Sequence, residues 1–279
     1  MPQRIIQVGH SPDSDDAFMF YALAKGLIDT GEIEYRHVLQ DIETLNRRAL
    51  AGELEVSAVS IHAFAFLAER YALLSSGASM GDRYGPMIVS RQPLGLGDLH
   101  QKTIAVPGTL TSAFLALRLA LGVNFAYEVI PFDQIIPAVA GGKVDAGLII
   151  HEGQLTYRES GLVKVIDLGE WWHSETGLPL PLGGNVVRKD LGPQLMHRIS
   201  RDLRASIQYA LNHREPALTH ALQYARDLDR PKADQFVGMY VNEWTLDYGP
   251  RGRQSVQLFL NRGYEAGLIP ARVEVDFVD

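Results

Sequence analysis

The stretches Ala51-Gly52-Glu53-Leu54-Glu55-Val56-Ser57-Ala58-Val59 and Gly141-Gly142-Lys143-Val144-Asp145-Ala146-Gly147-Leu148-Ile149 follow one pattern. Each has a glycine that ends a helix, a charge, an apolar residue, an acid and then a β-rich run. Working outward, the same series precedes both. Residues 5–8 and 103–106 are short β-rich runs, and each leads through a loop of small residues into a helix that opens with Ala-Phe, at Ala17-Phe18 and Ala113-Phe114. A further strand and a second helix, 42–50 and 132–140, complete each half. The order strand, loop, helix, strand, helix, strand therefore occurs twice and predicts two α/β lobes. Alternation at these lengths implies parallel sheets covered on both faces.

The runs 86–91 and 185–188, bounded by glycine or proline, predict two strands that cross between the lobes as a hinge. The expected division is residues 1–91 with 186–279 in lobe 1 and 92–185 in lobe 2, with a ligand cleft between them. From Gly192 onward the pattern turns helical, over 193–212, 215–227, 232–243 and 251–267, and these helices are expected to cap the first lobe.

Composition narrows the function classes. A chain of 279 residues is long enough for one large or two medium domains. Its 26 Lys and Arg against 33 Asp and Glu, with no basic run, argue against a nucleic-acid partner. The absence of cysteine removes disulfides, thiolate zinc sites, iron–sulfur clusters and a cysteine nucleophile. Residues 113–130 are the most apolar longer stretch, but Arg118, Asn124 and Glu128 interrupt it, so a buried helix and a strand are expected there and no membrane partner. The first residues contain no apolar run long enough for a secretory signal, which predicts a cytoplasmic location.

In α/β folds ligands sit where strand carboxyl ends meet helix amino ends. The first such loop is His10-Ser11-Pro12-Asp13-Ser14-Asp15-Asp16-Ala17. Ser11 or Ser14 is expected to cap the helix, with Ser11 and Asp16 also facing a ligand. The alternative is a Mg²⁺ or Ca²⁺ site, but the glycine and distal glutamate of a calcium loop are missing, so no metal is expected. The second loop, Pro107-Gly108-Thr109-Leu110-Thr111-Ser112, opens a helix whose first turn has no acid, which suits a carboxylate or phosphate, or else is an ordinary Thr/Ser cap. Ser57 and Ser60 form a third small polar patch. The fourth strand end delivers His151, either a general base at the ligand edge or a structural histidine. Gly77-Ala78-Ser79-Met80-Gly81 has the letters of a nucleophile elbow, but Asp82-Arg83-Tyr84-Gly85-Pro86 cannot supply its helix, so a loop is expected. No zincin or dinucleotide fingerprint is present, and no cofactor is expected.

The string Gly147-Leu148-Ile149-Ile150-His151-Glu152, with Leu155-Thr156-Tyr157, Trp171-Trp172 and Thr176-Gly177-Leu178-Pro179-Leu180-Pro181-Leu182-Gly183, resembles the MqnD family. These are 1,4-dihydroxy-6-naphthoate synthases of the futalosine route to menaquinone. Asp41-Ile42-Glu43-Thr44-Leu45-Asn46 and Val106-Pro107-Gly108 extend the resemblance to nearly the whole chain. It implies a two-lobed α/β fold of the type II periplasmic-binding-protein kind, with two crossover strands and C-terminal helices. It implies His151 as the general base on cyclic dehypoxanthinyl futalosine, an aromatic carboxylate substrate, and a cleft lined by Ala58, Val59, Ser60, Thr111 and Ser112. Two places depart from the pattern of members such as the thermophilic enzymes. The first loop commonly reads Ser-Pro-Cys-Pro-Asn-Asp-Thr-Phe, whereas here it is Ser11-Pro12-Asp13-Ser14-Asp15-Asp16-Ala17-Phe18. Asn185, a further candidate for substrate binding, stands where members such as the thermophilic enzymes usually have an apolar residue. Two alternatives follow: a paralogue using the same chemistry on another aromatic or chorismate-derived acid, and a non-catalytic solute-binding protein.

Overall fold

The computed structural model describes residues 4–225 and 228–279. Its strands are β1 (Arg4–His10), β2 (Ile33–Leu39), β3 (Val56–Ser60), β4 (Tyr71–Leu74), β5 (Ser79–Gly81), β6 (Met87–Ser90), β7 (Thr103–Val106), β8 (Ala126–Val129), β9 (Ala146–Ile149), β10 (Val163–Asp167), β11 (Leu180–Arg188) and β12 (Phe277–Val278). The first sheet runs β12-β4-β11-β3-β1-β2, with β5 paired to β11, and the second runs β10-β6-β9-β7-β8.

Three strands of each half match in order and direction. β2-β1-β3 and β8-β7-β9 are parallel triplets of the same order. The helices before their third strands, Ile42–Ala51 and Phe132–Ala140, lead into Gly52 at φ 75° and Gly142 at φ 76°. A left-handed turn at the same place in both copies is the backbone form of the repeat, and glycine enters it without the Cβ penalty.

The sheets are mixed, not parallel throughout as expected. β11 runs antiparallel to β3, with Gly183 beside Ser60, and β6 runs antiparallel to β9, with Met87 beside Ile149. The reason lies in the path of the chain. A segment arriving from the other lobe enters at the edge where the parallel strands end, so it must run away from that edge. The strand expected over 86–91 is thus Met87–Ser90, bonded into the second sheet, and the return strand is the longer Leu180–Arg188, bonded into the first. The expected loop at 77–81 contains strand β5, Ser79–Gly81, along β11.

The C-terminal helices are Pro193–Asn212, Arg214–Ala221, Arg230–Tyr240 and Gly249–Glu265, with a short turn at Glu243–Leu246. Arg226 and Asp227, the end of the helix expected over 215–227, lie outside the described residues. All four pack on first-lobe elements, and two of them also reach the second lobe, Arg230–Tyr240 at Gln154 and Gly249–Glu265 against the helix Ser112–Leu121. Its Phe259 meets Trp172 edge to face, 5.3 Å between centroids, and its Ser255 hydroxyl accepts from the Trp172 indole N–H at 3.2 Å. One apolar core consequently continues between the sheets, through Leu73, Ile88, Ile104, Phe114, Trp172 and Val186. Among the described residues no helix is long and apolar enough to cross a membrane.

Candidate active site

The carboxyl ends of β1, β3 and β9 and the loop after β7 open onto one cleft of about 760 Å³, mouth included. Ser11 and Asp16 line it from the first loop, and Ala58, Val59 and Ser60 from β3. Thr111 and Ser112 line it from the second lobe, Asn185 from β11, and His151 from the end of β9. The structure thus brings all nine candidate residues to one cavity.

The first loop is held differently from the expected capping. Asp13 occupies the N-cap position of the helix Ser14–Met19, in extended conformation, and no side chain caps that helix. The Asp16 carboxylate instead accepts the Ser11 N–H at 2.7 Å, and the Ser14 hydroxyl lies 3.4 Å from Glu152 Oε1 across the cleft. Carboxyl groups crowd here. Burial first, and then the neighbouring Asp16, Asp13 and Glu152 charges, push Asp15 well above the usual carboxylate range. Burial also pushes Asp16 up to about 6, against the stabilising Ser11 N–H. Just upstream, His10 is stacked on Phe20 and bonded to His37 at 2.9 Å, and burial lowers both imidazoles to about 4.

His151 stands at φ 57°, the left-handed region that costs a non-glycine residue about 1 kcal/mol or more. This sharp turn ends β9 and returns the ring to the cleft. The ring meets Phe132 edge-on at 4.7 Å, and its Nδ1 lies 3.1 Å from Asp13 Oδ2. Asp13 is almost fully buried, with its side chain 2% exposed, against 17% for His151.

Ser60 is locked by Asn46, whose amide accepts the Ser60 N–H at 2.8 Å and donates to its hydroxyl oxygen at 3.1 Å. Among the described residues nothing accepts the Ser60 O–H, and Ser60 lines the cleft. The Asn185 amide donates to Gly77 O at 3.1 Å, and among the described residues its buried carbonyl oxygen has no partner.

In the second loop Thr111 caps Ser112–Leu121, accepting from the Phe114 N–H at 3.2 Å. The Ser112 hydroxyl donates to Leu182 O at 2.5 Å and accepts the His62 N–H at 3.1 Å, so it ties the lobes together and has no proton to spare for a ligand. Glu43 makes a second tie by accepting the Leu110 N–H at 3.3 Å. A Cβ on Gly108 would sit 2.4 Å from that carboxylate, which explains glycine there.

Sequence reasoning missed the contribution of the C-terminal helices. Phe236 and Tyr240 line the cleft from Arg230–Tyr240, and the Tyr240 hydroxyl donates to Gln154 Oε1 at 2.7 Å. No local pattern marks them, because an aromatic pair at i, i+4 reads as ordinary core. Asp13 was visible as an acid in the first loop, but its partner 138 positions away was not.

Two mixed sheets of matching strand order, joined by two crossings and enclosing a cleft at their strand ends, define the two-lobed fold of periplasmic binding proteins. The fold is shared with the alkanesulfonate-binding protein of Xanthomonas axonopodis pv. citri, at TM-score 0.71 and 14% identity, over 99% of this chain and 97% of that one. A solved structure from Archaeoglobus fulgidus is much closer, with TM-score 0.91 and 45% identity over 95% of this chain and 98% of that one. The family described as menaquinone biosynthesis matches residues 6–265. A 1,4-dihydroxy-6-naphthoate synthase of Thermus thermophilus is 41% identical, covering 94% of this chain and 95% of its own. One of Streptomyces coelicolor is 38% identical, with 95% of each chain covered. The chain belongs to the menaquinone-biosynthesis family, and it is an enzyme of the lyase type those synthases represent.

Proposed function

We propose that the chain is a 1,4-dihydroxy-6-naphthoate synthase that acts on cyclic dehypoxanthinyl futalosine, with His151 as general base. The observation that carries this reading is a histidine turned back into the cleft by a left-handed backbone, in a chain 41% identical to a synthase of that name. In this mechanism a ring nitrogen of His151 takes a proton from the bound substrate. The sugar-derived fragment leaves, and the second ring becomes aromatic. Aromatisation supplies driving force, so the protein's task is to orient the substrate, accept the proton and exclude water.

The cleft has groups suited to that task. A substrate carboxylate is placed at the start of Ser112–Leu121, whose first turn has no acid and whose backbone N–H groups and dipole favour an anion. Asp15 and Asp16 line the cleft from the first loop, where a further negative charge would add to the crowding that already raises both carboxyls, so the substrate carboxylate is placed away from them. The Ser60 O–H and the Asn185 carbonyl are a donor and an acceptor for substrate oxygens between those ends.

The test is to incubate purified protein with cyclic dehypoxanthinyl futalosine and follow the naphthoate by absorbance and mass. Stoichiometric product supports the reading, and no product at high enzyme concentration removes it. One observation favours a second reading. Asp13 and Asp15 stand where the resembled family commonly has cysteine and asparagine, and both are packed at the cleft. A paralogue acting on another aromatic acid would be recognised by turnover of that acid and not of the futalosine derivative.

A further inference from the structure

His151 can serve as a base only if the correct ring nitrogen is free of its proton, and the two nitrogens are not equivalent. We infer that Asp13 is the positioning residue that holds His151 through Nδ1–H, leaving Nε2 as the nitrogen that accepts the substrate proton. This rests on the reading of His151 as the base, and it adds the group that sets its tautomer.

Three features of the structure carry it. Asp13 Oδ2 and His151 Nδ1 are 3.1 Å apart, and an ionised carboxylate can only accept, so the shared proton belongs to Nδ1. Asp13 also occupies an N-cap position, yet makes no side-chain cap hydrogen bond to the helix that follows. Finally, the ring is confined on its other side by Phe132, edge-on at 4.7 Å, and by its own backbone at φ 57°. The charges facing the pair come from the first loop, Asp15 and Asp16, and from Glu152 beside His151. These are acidic, and His10 also interacts electrostatically with the Asp13 carboxylate.

The partners come from opposite halves of the repeat, Asp13 from the loop after β1 and His151 from the end of β9. The base is therefore oriented only when the two lobes are together, and the neighbouring contact between Ser14 and Glu152 crosses at the same place. A carboxylate in that position sets one tautomer and compensates the positive charge that appears on the ring as the proton arrives.

The experiment is long-range proton–nitrogen NMR on ¹⁵N-histidine-labelled protein without substrate, comparing wild type, Asp13→Ala and Asp13→Asn, with His151→Asn to assign the signal. Neutral His151 is expected as the Nδ1–H tautomer in wild type, shifting to the commoner Nε2–H form in Asp13→Ala. Asp13→Asn, whose amide oxygen can still accept, is expected to keep more of the Nδ1–H form. In turnover, Asp13→Ala is expected to lower kcat about 10- to 100-fold with KM within about threefold, and Asp13→Asn to lose less. An unchanged tautomer in Asp13→Ala overturns the assignment, and so does a raised KM with kcat intact. Failure of wild type to convert the futalosine derivative would instead remove the proposed function, while the tautomer experiment, which needs no turnover, still decides the role of Asp13.

Discussion

The loops at 11–16 and 107–112 hold equivalent places in the repeat, each between the leading strand of its half and a helix, yet they are built in opposite ways. The second is neutral and closely satisfied. Thr111 caps a ten-residue helix, and the Ser112 hydroxyl donates once and accepts once. The first carries three acids, caps its six-residue helix with no side chain, and holds two carboxyls above their usual range. The same supersecondary unit thus supplies one loop that favours stability and an anion, and one that accepts unfavourable charge beside the proposed base. Strain and crowded charge of this kind persist where the surrounding structure over-determines them, and they mark the working side of a cleft.

The largest effect expected is on chemistry. His151→Asn should lower kcat by about 10²- to 10⁴-fold while substrate binding, followed by calorimetry, changes little. A near-normal kcat would move the base elsewhere. The second loop should respond in stability. Ser112→Ala leaves the His62 N–H and the Leu182 carbonyl without their partner, at a cost of about 1–3 kcal/mol for each group that stays dry, read from urea unfolding. Thr111→Ala removes only the cap and should cost about 1 kcal/mol.

The first loop should respond with the opposite sign. The fold prefers Asp15 protonated, so its contribution is favourable at low pH and is lost as pH rises above the usual carboxylate value. Asp15→Asn is therefore expected to raise Tm at pH 7 by about 2–4 °C, a gain that disappears near pH 4. A destabilised Asp15→Asn would mean the carboxylate is held by something other than crowding. Smallest and most diffuse is the acid response of His10 and His37. Both prefer the neutral ring, so their stability is complete above about pH 6.5 and falls toward about 4. His37→Gln should flatten the fall of Tm across that window, and an unaltered slope would place the acid sensitivity elsewhere.

The repeat was legible because its evidence is local. A glycine, a charge, an apolar residue and an acid before a strand imply the same turn twice, and Gly52 and Gly142 adopt it within one degree of φ. His151, Ser60 and Thr111 were legible for the same reason, since strand ends can be located from periodicity. The antiparallel members of the sheets were not, because their direction depends on the path between lobes and not on residue type. Nor was the use of Ser112, whose hydroxyl is committed to groups 50 and 70 residues away. Asp13 illustrates the limit most sharply. Its composition suggested capping or a metal, and only the closure of two distant segments reveals a histidine partner.

In the proposed reaction these two unlike loops face one ligand, the neutral loop holding its carboxylate and the acidic side presenting the base. A crystal structure with 1,4-dihydroxy-6-naphthoate bound tests this most directly. The carboxylate is expected within hydrogen-bond distance of the backbone N–H groups that open Ser112–Leu121, with a ring oxygen within reach of His151. A carboxylate seated against Asp15 and Asp16, or a molecule bound outside the cleft, would contradict it.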